Sequence, residues 1–248
     1  MPWKDNFSTQ AVDYAKYRPH YPPALYDYLF SLVKEKRVAW DCGTGNGQVA
    51  TALAKVFHQV IATDPSSTQL AQAPVLPNVT YQVATAEHTQ LPAASVNLIT
   101  VAQAIHWFNV ETFYQEVQRV AVPGKAIIAV WGYGLLQISP TIDNILQQLY
   151  VDILGPYWDA ERRHLDQAYR TIPFPFPQFK TPQLTMQLEW NLRDLLGYLS
   201  TWSSLQKFIR TNHYDPLPEI AKALQTIWSK EAVLKTVQWE LYLKVGWI

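Results

Sequence analysis

The sequence specifies an α/β fold: a doubly wound, mostly parallel sheet with helices on both faces. Three observations predict it. Short apolar runs alternate with helical periodicity through residues 22–133, the pattern of βαβ units. A glycine-rich turn, DCGTGNGQ at 41–48, joins the first apolar run to the helical segment after it. Beyond residue 134, two segments with alternating apolar positions are separated by helical ones, which suits an antiparallel pair added to one sheet edge.

The elements follow in order. Pro22 and Pro23 can open a helix, because the first turn has no use for its N–H groups. Leu25, Leu29, Leu32 and Val33 then form one apolar stripe. Strand one runs from Val38 to about Cys42, and the next helix starts near Gly47 and turns Val49, Leu53, Val56 and Phe57 inward. QVIATD (59–64) is strand two, followed by a short helix from Ser66 to about Gln72 with Ser66 as its N-cap. VTYQVA (79–84) is strand three and SVNLITVAQA (95–104) strand four. Asn109 can cap a helix over 110–121 that buries Phe113, Val117, Val120 and Ala121. Pro123 and Gly124 turn the chain into strand five, AIIAVWGY (126–133).

Residues 141–154 have a helical pattern, whereas the prolines of IPFPFPQF (172–179) exclude a regular helix. LTMQLEWNL (184–192) alternates Leu184, Met186, Leu188 and Trp190 as a strand does. Residues 193–230 are helical in two or three pieces, broken at Asp215, Pro216, Leu217 and Pro218. The last segment alternates Val237, Trp239, Leu241, Leu243 and Val245.

Composition narrows the function classes. With 20 basic and 20 acidic residues and no block of like charge, nothing offers a basic face to nucleic acid. Ten tryptophans in a weakly charged chain imply an extensive core or an apolar pocket. The one cysteine, Cys42, allows neither an internal disulfide nor a cysteine zinc cluster. No signal-type core and no run of about 20 apolar residues occurs, so a soluble cytoplasmic protein with no membrane partner is expected.

The glycine turn lies at the carboxyl end of strand one and opens a helix, where doubly wound sheets bind ligands. Helix N-termini offer free N–H groups, and glycines let a ligand come close to the main chain. The dinucleotide fingerprint is G-x-G-x-x-G. Gly43 and Gly45 match it, but position 48 is Gln48, and Gly47 makes the pattern G-x-G-x-G. Asp41 stands two residues before the first glycine, where its carboxylate would repel a pyrophosphate. Asp64 ends strand two about 20 residues further on, where ribose hydroxyls are held. Together these point to a nucleoside with a cationic, phosphate-free tail, which describes S-adenosylmethionine. A nicotinamide oxidoreductase is disfavoured by the missing glycine at 48.

With DCGTGNG, ATDPS, ATAEHTQLP, the HWF after strand four and the RVAVPGK turn in order, residues 35–133 resemble the class I S-adenosylmethionine-dependent methyltransferases. A narrower resemblance, to the trans-aconitate methyltransferase-like (methyltransferase type 11) branch, rests on YAKYRPHYP (14–22), QAIHWFN (103–109) and the IPFPF stretch. The family implies a Rossmann-like seven-stranded sheet, with helical insertions after strand five and between the last two strands. It implies one domain over 1–248: an N-terminal cap segment (1–34), a cofactor-binding core (35–133), substrate-side insertions with the penultimate strand (134–232) and the last strand (233–248).

It also implies roles. Asp41, Gly43, Thr44, Gly45 and Gly47 would line the methionine side of the cofactor. Asp64 would take the ribose hydroxyls, with Pro65 and Ser66 bordering the adenosine. Ala86 and Glu87 would sit beside adenine, and Gln103 and Ala104 under the methionyl group. Tyr14 and Arg18 would cap the cofactor, Arg18 on its carboxylate. Plainer readings stand beside these: Asp64 as a helix cap, Glu87 as a solvated acid, Arg18 as a surface bridge.

Methyl transfer chiefly needs alignment and exclusion of water, and no metal is expected. His106 is the candidate base or pocket residue, with a structural histidine as the plainer reading. Trp107, Trp131, Tyr133 and Tyr169 are candidate substrate neighbours, and Arg162 or Arg163 could hold an acidic substrate unless ERRH (161–164) is a solvated helix face. Trp190 and Trp202 would either wall the pocket or fill the core. The expected activity is methylation of a small molecule, on oxygen and on a carboxylate if the narrower resemblance holds, by a monomer or homodimer. A non-catalytic binding module of the same fold is the alternative.

Overall fold

Seven strands form one sheet in the order β3-β2-β1-β4-β5-β7-β6. The computed structural model describes residue 17 and residues 19–248. Strands β1 (Val38–Cys42), β2 (Gln59–Asp64), β3 (Val79–Val83), β4 (Leu98–Ala102) and β5 (Ile127–Tyr133) pair in parallel. β7 (Lys235–Trp247) runs antiparallel between β5 and β6 (Leu184–Trp190). The chain winds outward through β2 and β3, then returns to the other side of β1 with β4. The carboxyl ends of β1 and β4 therefore flank the crevice where such sheets bind ligands.

Around the sheet lie α1 (Pro23–Leu32), α2 (Gln48–Leu53), α3 (Ser67–Leu70), α4 (Val110–Val120), α5 (Pro140–Gln147) and α6 (Arg162–Asp166). After β6 come α7 (Leu192–Ser200), α8 (Ser203–Asn212) and α9 (Leu217–Trp228). Each face of the sheet has its own core. Ala129 and Trp131 of β5 pack with Leu25, Leu29, Leu53, Leu195, Leu224 and Trp239. Ile128 and Val130 pack on the other face with Trp40, Ile99, Val101, Phe113 and Val117. Coverage on both faces explains why the central strands read as nearly unbroken apolar runs. β7 instead buries Val237, Trp239 and Leu241 and exposes Gln238 and Glu240.

The expected caps form. Ser66 Oγ accepts from the Gln69 N–H of α3, and Asn109 accepts from the Thr112 N–H of α4. The helical stretch 193–230 is three helices, and Asp215 Oδ1 accepts from the Leu217 N–H at the last break, at 2.9 Å. The proline stretch stays out of helices and runs beside the end of β7, where Phe179 N donates to the Val245 carbonyl and Trp247 N to that of Pro177.

The helix expected to carry Val56 and Phe57 ends at Leu53, and the one expected to reach Gln72 ends at Leu70. Two further elements differ more. Strand four, expected over 95–104, is confined to Leu98–Ala102. Before it, Ser95 and Val96 donate to the Val120 carbonyl at the end of α4, and after it Gln103 takes a left-handed conformation, φ +56°, that ends the strand. The helix expected over 141–154 is α-helical only to Gln147 and continues as a π-helix over Gln148–Ile153. The wider turn closes with Leu154 N donating to the Leu149 carbonyl, and the Tyr150 carbonyl accepts from the Trp158 indole at 3.0 Å.

Asn109→Ala removes the cap of α4, the helix that follows the His106 turn. It should cost about 1 kcal/mol of stability, read as a lower urea midpoint at unchanged slope.

Candidate active site

β1 ends at Cys42, and the chain turns through Gly43–Gly47 into α2. All three glycines of this turn are left-handed, at φ +70°, +56° and +80°, where a side chain is strained. Their surroundings differ. A Cβ on Gly43 would lie 2.6 Å from the Ala104 Cβ, and one on Gly47 would lie 2.7 Å from the Tyr81 hydroxyl. On Gly45 the nearest atom would be Gln69 Oε1 at 3.9 Å. Two glycines thus seat the loop against protein, and only Gly45 leaves room over the crevice.

Asp41 lies beneath this loop and is 1% exposed. Its Oδ2 accepts from the Thr44 hydroxyl at 2.5 Å and the Ala50 N–H at 3.1 Å. Its Oδ1 accepts from the Thr100 hydroxyl of β4 at 2.9 Å. Burial pushes its carboxyl up to about 6, against the opposing pull of the hydrogen bonds from Thr44, Thr100 and Ala50. Asp41 therefore fastens the loop from below.

Asp64, half-buried at the end of β2, accepts from the Gly45 N–H through Oδ2 and from the Ser66 N–H through Oδ1, both at 2.9 Å. It joins the glycine loop to the turn after β2, beside the room that Gly45 leaves. Its carboxylate accepts hydroxyl donors and repels phosphate, so these residues fit a nucleoside with an unphosphorylated ribose. Ser66 is buried and Pro65 half-buried at this lip. Ala86 is buried, and Glu87 Oε1 accepts from the Asn109 N–H at 2.8 Å, tying the turn after β3 to the start of α4.

On the β4 side, Ala104 packs against Gly43. The Gln103 amide grips the end of β5: Oε1 accepts from the Tyr133 N–H at 2.9 Å and Nε2 donates to the Tyr133 carbonyl at 3.1 Å. His106 follows in a 3-10 turn, Ile105–Trp107. It is 7% exposed, and its Nδ1 shares a hydrogen bond of 3.0 Å with the Tyr169 hydroxyl. Burial, then the positive charge of Arg162 and the neighbouring His164, hold its pKa down to about 3, so the imidazole is neutral and weakly basic at neutral pH.

Other expected neighbours lie deeper than a pocket wall would. Trp131 is fully buried and meets Tyr21 edge-on at 5.5 Å between ring centroids. Tyr133 is 4% exposed and packs edge-on to Tyr21 and Trp239. Trp190 and Trp202 belong to the same core. Tyr169 lies over β5, because a Cβ on Gly132 would lie 2.7 Å from its ring. Trp107 is half-buried beside His106. Tyr14 and Arg18 fall outside the described residues.

Several contributors had no role assigned from sequence. Thr100 reads as an ordinary strand residue, yet its hydroxyl holds Asp41. Gln48, which breaks the dinucleotide fingerprint, donates through Nε2 to the Pro19 carbonyl at 3.2 Å and lies 2.8 Å from His20 Nδ1. It anchors the chain that enters the site from the N-terminal side, and its only sequence signal was being a polar residue where the fingerprint has glycine.

Residues 40–129 match the family model of a methyltransferase domain. A candidate methyltransferase of Dictyostelium discoideum is 37% identical over 89% of this chain and 85% of its own. An uncharacterized methyltransferase of Schizosaccharomyces pombe is 27% identical over 81% of this chain and 80% of its own. Among solved structures, a candidate type II methyltransferase of Anaeromyxobacter dehalogenans is 41% identical, with a TM-score of 0.85 over 93% of this chain and 97% of that one.

The glycines should separate by substitution. Gly43→Ala should lower the melting temperature by several degrees, whereas Gly45→Ala should cost only the local strain of about 1 kcal/mol and lose S-adenosylmethionine affinity in calorimetry. Asp41 holds its proton more tightly in the fold than in the unfolded chain, up to about 6 rather than 3.8. Its contribution is present at low pH and lost as the pH rises through that window, by on the order of 3 kcal/mol. Urea unfolding from pH 4 to 7 should show this fall in the wild type relative to Asp41→Asn, which has no carboxyl to titrate.

Proposed function

The chain belongs to the class I S-adenosylmethionine-dependent methyltransferases, and from that premise we propose that it methylates a small molecule on a carboxylate oxygen. Bound S-adenosylmethionine supplies a methyl group on a cationic sulfur whose departure leaves a neutral thioether. The chain's work is then to bind, align and exclude water.

In this reading Asp64 accepts from the ribose hydroxyls, and the room over Gly45 admits the cofactor. Pro65, Ser66, Ala86 and Glu87 border the adenosine. Ala104 and Gln103 support the methionyl side, and Tyr14 and Arg18 close over it. Asp41 and Thr44 keep the loop in place. His106, Trp107 and Tyr169 shape the acceptor side of the crevice.

The state of His106 carries the choice of acceptor. A buried imidazole bonded to Tyr169, with its pKa near 3, is a poor proton acceptor at neutral pH. A phenol, alcohol or ammonium group must lose a proton before it attacks, whereas a carboxylate arrives ionised. The narrower family resemblance in residues 14–22 and 103–109 supports the same choice. Cys42, buried and free, suits the reducing cytoplasm.

A screen of small carboxylic acids, phenols and amines with isotopically labelled S-adenosylmethionine, read by mass, should find methyl transfer to acids. Transfer confined to phenols or amines would sink the carboxylate reading. Asp64→Ala should weaken calorimetric binding of S-adenosylhomocysteine at least tenfold, and unchanged affinity would remove Asp64 from the ribose site.

A further inference from the structure

We propose that Arg162 binds a carboxylate of the acceptor molecule, so that the substrate is a small organic acid recognised by charge; this rests on the methyl-transfer reading above. In sequence, Arg162 and Arg163 are adjacent and chemically alike. The fold separates them: Arg163 is exposed, whereas the Arg162 side chain is 20% exposed.

Arg162 is built into its place. Its guanidinium carbon lies 4.4 Å from the Trp158 ring centroid and 5.5 Å from that of Tyr150. Nε donates to the Tyr150 hydroxyl at 2.9 Å, and that hydroxyl donates in turn to Asp166 Oδ1 at 2.5 Å. These contacts fix the plane of the fork before any ligand arrives.

The position is the carboxyl end of the sheet. The stacking partners Tyr150 and Trp158 belong to the core of one face. Leu165 and Tyr169, on the same short helix and the turn after it, belong to the core of the other. A Cβ on Gly132 of β5 would lie 2.8 Å from Leu165 Cδ1, so the helix sits directly on the end of that strand. Arg162 opens the helix that Leu165 seats on β5, and its charge acts on both His106 and Tyr169.

Arg162 has a loose ion pair with Asp166, and its fork is open. Asp166 Oδ1, already accepting from Tyr150, stands 3.9 Å from Nε, beyond hydrogen-bond distance. Among the described residues, no hydrogen bond occupies the Nη groups. Its two Nη groups are not sealed from solvent and form the fork that fits two carboxylate oxygens. Charge, shape and position together specify an anionic group at the acceptor end of the crevice.

The test measures binding of succinate, glutarate and benzoate, and of their amides, to the wild-type complex with S-adenosylhomocysteine. The acids should bind at least tenfold more tightly than the amides. Arg162→Met, which keeps the stacked stem, should abolish that preference, and Arg162→Lys should restore part of it. Arg163→Met should behave as the wild type, and all three variants should hold S-adenosylhomocysteine within twofold. Equal binding of acids and amides by the wild type overturns the proposal, as does a preference that survives in Arg162→Met or is lost equally in Arg163→Met. If Arg162→Met does not fold, an Arg162→Lys variant of normal melting temperature with unaltered acid affinity overturns it too. Methyl transfer to neutral or cationic acceptors alone refutes the acid and leaves methyl transfer standing, whereas failure to bind S-adenosylhomocysteine refutes the reading beneath.

Discussion

One buried carboxylate holds the cofactor side of this molecule together. Asp41 receives hydrogen bonds from the loop at Thr44, from α2 at Ala50 and from β4 at Thr100. An ionisable group with almost no water contact is expensive unless its oxygens are occupied, so these three pieces of chain are held in one arrangement. The consequences propagate. The fixed loop packs Gly43 against Ala104, the residue from which the turn carrying His106 begins. Asp64 then clasps the same loop from the side through the Gly45 N–H. The room over Gly45 is the part of this assembly left open.

The region around Tyr169 is organised by different forces. Tyr169, on the turn after α6, is fully buried against Gly132, hydrogen-bonded to His106 through its hydroxyl, and held at its carbonyl by Lys244 of β7. Lys244 also donates to the Ile172 carbonyl, so the antiparallel strand between β5 and β6 anchors the segment that carries Tyr169. A π-turn before that segment presents the Tyr150 carbonyl to Trp158, and the pair of rings supports Arg162. Burial and positive charge together keep His106 neutral there. The two regions thus differ in character: carboxylates and backbone donors around the glycine loop, aromatic rings and a cation around Tyr169.

The tryptophans show how little composition says about location. An aromatic-rich chain is compatible with a large pocket or a large core, and Trp40, Trp131, Trp228 and Trp239 prove fully buried. Trp131 and Tyr133 end a strand that leads to the crevice, but they turn into the core beneath it. Arg162 shows the converse: ERRH reads as a solvated helix face, and only the stacking of its first arginine on rings from a preceding turn withdraws that residue from water.

The sequence by itself determined the sheet, because strand and helix periodicities, proline breaks and the caps at Ser66 and Asn109 are local and need no partner to be legible. It also identified the cofactor class, since G-x-G-x-G behind an aspartate, with a second acid after the next strand, is contiguous chemistry. Tertiary structure alone decided which glycine faces open space, that Asp41 spends its oxygens on Thr44, Ala50 and Thr100, that Gln48 anchors Pro19, and which of two adjacent arginines is drawn out of water onto aromatic rings. Each of those facts depends on atoms brought together from distant parts of the chain. A side chain's burial and partners are properties of the packed molecule, so residue spacing carries almost no trace of them.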